Sequence, residues 1–133
     1  MYLHIHDTRT LKELQEDFNF SFPYLRLEFF SRMHRSGLRS SLKRRLNPFL
    51  QVATVRSKHR NGALEINGNQ KVRDVEQSLQ QDYHLPVQIY HFTKAGWLMT
   101  DVTDDATLDE LNEQGRNTSH ELHNVFAQAR NLH

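Results

Sequence analysis

The segment KVRDVEQSLQQDYHLPVQIYHF, Lys71 to Phe92, contains a helical pattern followed directly by a strand pattern. Four apolar residues recur at the spacing of one helix face: Val72, Val75, Leu79 and Tyr83. KVRDVEQSLQQDYHLP is therefore predicted to be a helix. The sequence VQIYHF then favours a strand. The segment therefore predicts a helix that leads into a strand.

The same order of elements occurs about 60 residues earlier. MYLHIH predicts a strand, TLKELQEDF a helix and YLRLEFF a second strand. Thr10 and Glu13 form a capping-box pattern at the start of this helix. Its apolar residues Leu11, Leu14 and Phe18 precede Val72, Val75 and Leu79 by 61 positions. Since ALEIN predicts a strand ahead of the later helix, both units read β-α-β, and we predict an internal repeat of architecture.

The second unit continues beyond its β-α-β pattern. TKAG, which includes Gly96, predicts a turn that pairs WLMTDVT with the preceding strand as a β-hairpin. Thr107 and Glu110 form a second capping box, and Gly115 is placed as a helix stop. The following tail has a weak apolar helical face, formed by Leu122, Val125, Phe126 and Ala129. It can dock on the domain or fray.

These patterns predict an α+β fold in which two β-α-β units form a sandwich of the ferredoxin-like type. At 133 residues the chain is long enough for one domain. We assign residues 1–116 to that domain and 117–133 to a tail or helix. The domain comprises the first unit at 1–32, a basic connection at 33–62, the second unit with its hairpin strand at 63–103, and a helix at 104–116.

The connection between the units is predicted to begin as an exposed loop at 33–45. Asn47 has the position of an N-cap and Pro48 the first position of a helix, with Gly62 as its C-terminal glycine. A strand at 51–57 is the alternative, because Val52 and Val55 are β-branched.

The charge of the chain is unevenly distributed along this connection. The net charge is only +1, yet nine of the 17 Lys and Arg lie between Phe29 and Leu64, where there is no Asp or Glu. These nine form the predicted basic surface: Arg32, Arg35, Arg39, Lys43, Arg44, Arg45, Arg56, Lys58 and Arg60. Basic side chains free of competing carboxylates are suited to phosphate groups or to an acidic protein surface.

Composition excludes several classes of site. The chain has no cysteine, which excludes disulfides and thiolate metal sites. The N-terminal residues lack a signal-peptide pattern, and no apolar run is long enough to span a bilayer. We therefore expect a cytoplasmic protein with no membrane contact and no cofactor.

Residues 64–115 carry a family resemblance. LEINGNQKVRDVEQSLQQDYHLPVQIYHFTKAGWLMTDVTDDATLDELNEQG resembles a group of small uncharacterised bacterial proteins, mainly of Bacteroidetes. In that group a strand and an NG-type turn lead into a helix, a strand, a Trp-containing hairpin strand and a TDD segment before a polar helix. The resemblance implies the fold of this region. It brings no activity and assigns no catalytic role to Trp97, Asp104 or Asp105.

Two sets of residues could bind a metal. Asp101, Asp104, Asp105 and Asp109 supply the hard oxygen ligands that Mg²⁺ and Ca²⁺ prefer, although acids also collect at helix N-termini, where they complement the dipole. His4 and His6 share a strand face, and His120 and His123 are three residues apart on a helix; two plus two could form a tetrahedral site. For the four acids we favour helix capping over metal binding, and for the four histidines we favour surface positions without a metal.

The leading hypothesis is a non-enzymatic domain that binds nucleic acid or an acidic protein surface through the basic segment 32–60. A metal-dependent enzyme that uses the cluster Asp101 to Asp109 is the alternative. A third hypothesis is a self-associating structural protein, in which the basic segment meets the acidic region 101–113 of another copy. No GxSxG motif or Gly-rich phosphate loop is present, so we name no catalytic residue.

Overall fold

The computed structural model describes residues 1–31, 44–100 and 105–131. The strands are β1 (Tyr2–Ile5), β2 (Leu25–Phe29), β3 (Gly62–Glu65), β4 (Val87–Thr93) and β5 (Gly96–Met99). The helices are α1 (Leu11–Ser21), α2 (Val52–Val55), α3 (Val72–Tyr83) and α4 (Leu108–Asn131). This mixture of helices with antiparallel strands confirms the α+β class.

The strands form two separate antiparallel sheets. β1 pairs with β3, whereas β4 lies between β2 and β5 in a three-stranded sheet. The two strands of each β-α-β unit therefore lie in different sheets, and each pairs with its counterpart in the other unit. The predicted β4–β5 hairpin is present, and Gly96 adopts the positive φ of +100° that its turn requires.

Equivalent hydrogen bonds join the helices in the first half (β1 to α2) and in the second half (β3 to α4). In each half, the start of the first helix and the start of the second helix exchange backbone hydrogen bonds. The first half contains Leu11 N–H to Leu50 O (2.9 Å), Val52 N–H to Arg9 O (2.8 Å) and Ala53 N–H to Asp7 O (3.1 Å). The second half contains Val72 N–H to Ala106 O (3.1 Å), Leu108 N–H to Gln70 O (3.0 Å) and Asp109 N–H to Gly68 O (2.9 Å).

The helix starts follow the sequence closely. The Thr10 hydroxyl accepts a hydrogen bond from the Glu13 backbone, and the Glu13 carboxylate accepts one from the Thr10 backbone, which completes the capping box of α1. At α4 the Glu110 N–H donates to the Thr107 hydroxyl at 3.2 Å. The apolar faces of α1 and α3 are buried in one core with the inner side of the three-stranded sheet.

The helix predicted from Asn47 to Gly62 is wrong in extent. Residues 47–50 form a turn, in which Phe49 N–H donates to Asn47 Oδ1 at 2.9 Å. The carbonyls of Pro48 and Leu50 accept the N–H groups of Lys12 and Leu11, and so are not available to a helix of their own. Only Val52–Val55 is helical, and Gly62 begins β3; the alternative strand at 51–57 is not observed. The predicted loop at 33–45 lies mostly outside the described residues.

Gly115 does not end a helix. It lies inside α4, which continues to Asn131 and includes most of the predicted tail. A Cβ at this position would lie 2.6 Å from the Cβ of Tyr24, so glycine is required by close packing and not by a turn. Beyond Gly115 the apolar residues Val125 and Phe126 are exposed.

The Glu76 carboxyl group accepts a hydrogen bond from a backbone N–H of β4 that a neighbouring strand would otherwise accept. The Ile89 carbonyl accepts the Thr100 N–H at 3.1 Å, but the Ile89 N–H donates to Glu76 Oε2 at 2.7 Å. Burial raises the pKa of Glu76 to about 8, and the Ile89 hydrogen bond only partly opposes this. The carboxyl group is therefore largely protonated at neutral pH.

Candidate functional site

The structure separates the nine predicted basic residues into three groups. Arg44, Arg45, Lys58 and Arg60 are exposed, as the predicted basic surface requires. Arg56 is buried. Arg32, Arg35, Arg39 and Lys43 lie outside the described residues.

Arg56 does not belong to any basic surface, because its side chain is fully buried in a network of hydrogen bonds. Its guanidinium donates to Asp7 Oδ1 (2.9 Å), Asn61 Oδ1 (2.9 Å), Arg60 O (2.7 Å) and Tyr83 O (3.1 Å). Burial alone would raise the pKa of Asp7, but the hydrogen bonds from Arg56 and His59 outweigh it and lower that pKa. This arginine holds the two halves together, so its charge is not available to a ligand.

The side of the three-stranded sheet that faces away from the core, here called the outer face, brings arginines and aromatic rings together. Residues alternate along each strand, so Leu25, Leu27 and Phe29 enter the core while Arg26 and Glu28 point to the outer face. The strand register places the following residues on that same face: Gln88, Tyr90, Phe92, Trp97 and Met99.

Two arginines lie over aromatic rings of the outer face. The Arg26 guanidinium lies 4.0 Å from the centre of the Trp97 ring, and Arg45 lies 5.3 Å from that of Tyr90. Arg45 also donates to the Tyr90 hydroxyl at 3.0 Å. Phe92 packs edge-on against Trp97, with ring centres 5.4 Å apart. The face therefore places cationic and aromatic groups side by side, with Arg26 exposed and Tyr90 only 6% exposed.

Glu28 and Gln88 are neighbours across the β2–β4 pairing on the outer face. Burial raises the pKa of Glu28, although Arg45, whose Nε lies 3.8 Å from the carboxylate, and Arg26 oppose the shift. Gln88 is only 1% exposed, and within the described part of the chain neither atom of its side-chain amide has a hydrogen-bond partner. An unpaired buried amide costs stability, so Gln88 is the least satisfied polar group among the described side chains.

A cleft of about 240 Å³ runs between α1 and β2 beside the outer face. Its lining comprises Lys12, Gln15, Glu16, Asn19, Arg26, Leu27 and Glu28. An aromatic ring flanks each side of it: Lys12 lies 5.0 Å from the ring centre of the exposed Phe49, and Arg26 covers Trp97. The cleft thus continues the arrangement of cations and rings from the outer face onto α1.

The residues proposed as metal ligands have other surroundings. Asp105 makes ion pairs with Arg73 (2.8 Å) and Lys71 (3.6 Å), and Asp109 lies against Gly68 at the start of α4. Asp101 and Asp104 lie outside the described residues. Within residues 1–31, 44–100 and 105–131, no group of three or more His, Asp or Glu side chains could hold a metal ion. His4, His6, His120 and His123 are exposed there without forming such a group.

The sequence did not indicate the outer-face pairs. Arg26 is predicted to point away from the core by strand alternation, but Trp97 is 71 residues later and Arg45 lies in a different segment. The pairing of β2 with β4, and of β4 with β5, places Arg26 beside Trp97, and a β-bridge between Phe30 and Arg45 brings Arg45 to the same sheet. The alternation of Arg26 and Glu28 against three apolar residues was the available signal that this face is polar.

Comparison with protein-family models, with curated proteins and with solved structures gives no match to this chain. The resemblance of residues 64–115 to small bacterial proteins therefore stays a prediction. Across the described part of the chain, no helix combines the length and the apolar character needed to cross a membrane.

Proposed function

We propose that this protein is a non-enzymatic domain that binds single-stranded nucleic acid on the outer face of its three-stranded sheet. The observation that supports this most directly is the stack of Arg26 on Trp97 at 4.0 Å, with the Arg45–Tyr90 pair on the same face. Bases stack on aromatic rings and on guanidinium planes, and single strands expose their bases for such contacts.

The charges around the face support phosphate contact. Arg44 and Arg45 run alongside the end of β2, where the Arg44 carbonyl accepts the Ser31 N–H at 2.9 Å. Lys12 and Arg26 line the adjoining cleft, although Glu16 and Glu28 line it too. Because carboxylates interrupt the cations, we expect stacking to contribute more of the affinity here than it would on a continuous basic patch.

Fluorescence anisotropy with labelled single-stranded DNA and RNA tests the proposal. Wild-type protein should bind both at low salt, with weaker binding to duplex of equal length and an affinity that falls as salt rises. Arg26→Gln should weaken binding about tenfold and lower the salt slope by about one, because one cation and one stacking plane are lost.

Arg60→Gln is the matched control. Arg60 also lies over an aromatic ring, 5.3 Å from the centre of Tyr83, but that pair is outside the outer face. It should leave affinity within about twofold, apart from the general loss of one charge. Absence of binding at low salt would remove the proposal. Equal losses for the two variants would place the contact on the wider basic segment.

We also propose that the two halves arose as copies of one unit. The support for this is the recurrence of three backbone hydrogen bonds between equivalent positions of the two halves. Circularly permuted protein that starts at residue 61, with the original termini joined, should fold if each half supplies equivalent contacts. Failure of that permuted chain to unfold cooperatively would count against this origin.

A further inference from the structure

The outer edge of β5 carries backbone groups that are not hydrogen-bonded. In an antiparallel ladder, alternate residues face the neighbouring strand. Thr100 N–H donates to Ile89 O, so Leu98 and Gly96 also face β4, and the N–H and C=O groups of Trp97 and Met99 point away from it. Within the described ranges, none of these outward groups has a partner.

The other edge of the same sheet is covered. The outward carbonyls of β2 each accept a hydrogen bond: Leu25 from the Asn19 amide (3.0 Å), Leu27 from the Gln15 amide (2.8 Å) and Phe29 from Leu46 N–H (2.8 Å). Proteins usually protect an edge strand in this way or with charges and prolines. The β5 sequence GWLM has neither a charge nor a proline.

The side chains of β5 add an apolar contact to this open edge. Leu98 is 47% exposed, although it lies on the side of the sheet that faces the core. In a strand paired with its own copy about Leu98, the two Leu98 side chains would lie directly opposite each other in a non-hydrogen-bonded pair. Side chains are closest in such pairs, so each leucine would cover the other.

We propose that β5 pairs antiparallel with β5 of a second copy, which joins the two three-stranded sheets into one six-stranded sheet. Trp97 N–H and C=O bond Met99 of the second copy, and Met99 bonds its Trp97, which satisfies all four outward groups of each strand. The register that pairs Trp97 with Met99 also pairs Met99 with Trp97, so it is unchanged when a twofold axis exchanges the two copies. One strand sequence therefore supplies both sides of the contact. A second copy is therefore the occupant that the edge fits.

The twofold axis is perpendicular to the sheet, so both outer faces lie on the same side of the dimer. Each copy then presents its Arg26–Trp97 stack beside that of the other. The dimer does not depend on nucleic-acid binding. It differs from association of the basic segment with the acidic region, because apolar contact and backbone hydrogen bonds are not weakened by salt as ion pairs are.

Disulfide trapping tests the register. The chain has no cysteine, so Leu98→Cys introduces a single thiol at the proposed axis, where opposed Cα atoms lie within the range that a disulfide spans. We expect mild oxidation to convert most of this variant to a covalent dimer. Val125→Cys is the control, because Val125 is 58% exposed on α4, outside the proposed contact. It should stay mostly monomeric on denaturing gels.

Analytical ultracentrifugation of the full chain gives an independent measurement. Wild-type protein should sediment as a dimer at micromolar concentration and remain so as salt rises, whereas Leu98→Lys, which opposes two like charges at the axis, should sediment as a folded monomer. A wild-type monomer at all concentrations overturns the proposal. So does a dimer that dissociates with salt, or one that Val125→Cys traps as efficiently as Leu98→Cys.

Discussion

Asp7 in the first half and Gly68 in the second half occupy equivalent places, since the carbonyl of each accepts an N–H from the start of the second helix of its half. Their surroundings differ. The Asp7 carboxylate extends to Arg56, whereas a Cβ at Gly68 would overlap the carboxylate of Asp109. In the first half the carboxylate comes from Asp7 after the strand, and Ala53 has the position that Asp109 has in the second half. In the second half the carboxylate comes from Asp109 at the start of α4, and Gly68, which has no side chain, leaves space for it.

The two halves also differ in the ionisable group that each of them buries. The first half contributes Arg56, a buried cation whose hydrogen-bond partners are all supplied. The second half contributes Glu76, a buried acid that one N–H contacts and that burial keeps protonated. The two halves therefore share equivalent backbone hydrogen bonds, although one contributes a buried cation and the other a buried neutral acid. The comparison can be tested by changing one half toward the other.

The largest effect is expected from Arg56→Ala. It leaves the carbonyls of Arg60 and Tyr83 and the buried side of Asp7 without their donor, which should lower the free energy of unfolding by about 4 kcal/mol. Urea unfolding followed by circular dichroism measures the loss. Lys58→Ala removes an exposed charge nearby and should change stability by less than about 0.5 kcal/mol. Similar losses in both variants would show that the buried network is not what stabilises the first half.

Glu76 should make stability depend on pH in the second half. Its pKa is about 8 in the folded protein against an ordinary value of 4.5, so the folded state keeps a proton that the unfolded state releases between these values. The free energy of unfolding should therefore fall by up to about 1.4 kcal/mol per pH unit as pH rises from about 4.5 to about 8, and then level off.

Glu76→Gln separates this contribution from other titrating groups. The amide oxygen can still accept the Ile89 N–H, so the variant should keep its fold and lose most of the pH dependence in that window. Urea unfolding at several pH values measures the slopes. A slope that is unchanged in the variant would assign the pH dependence to other residues.

Exchanging the side chains at the equivalent helix starts should show coupling. Gly68→Asp alone crowds the Asp109 carboxylate and should cost about 2 kcal/mol. The double variant Gly68→Asp with Asp109→Ala reproduces the first-half combination of Asp7 with Ala53 and should recover at least half of that loss. Thermal melts of both single variants and the double variant complete the cycle. Additive losses would mean that the two positions do not share one space.

The smallest effect is expected from Gln88→Leu, which replaces the buried amide of β4 with an apolar side chain of similar size. It removes a buried amide that has no partner among the described residues, and should raise the free energy of unfolding by about 1 kcal/mol. Gln81→Leu changes an exposed glutamine on α3 and should have almost no effect. A loss of stability in Gln88→Leu would show that the amide is paired in solution.

Local sequence patterns predicted most helices and strands but not their partners. The capping box at Thr10, the apolar faces of α1 and α3, and the hairpin at Gly96 are each set by residues within one or two turns of each other. The Asn47–Pro48 pattern failed because the carbonyls of this segment bond to α1 instead. Gly115 was placed at a helix end because no nearby residue indicates that Tyr24 packs against it.

The candidate site was less predictable than the fold. Basic residues were evident from charge alone, but charge does not distinguish the buried Arg56 from the exposed Arg60. The aromatic partners Tyr90 and Trp97 were absent from the predicted site, since they are distant in sequence from Arg26 and Arg45. Four of the nine basic residues lie outside the described part of the chain, so their contribution stays a prediction.

The sequence by itself determined the α+β class, the order of the elements and the separation of charge along the chain, because periodicity, capping and composition are local properties. The tertiary structure decided which strands pair, which arginine is buried and which arginines meet aromatic rings. Those outcomes depend on contacts between residues tens of positions apart, whose energies no local pattern records.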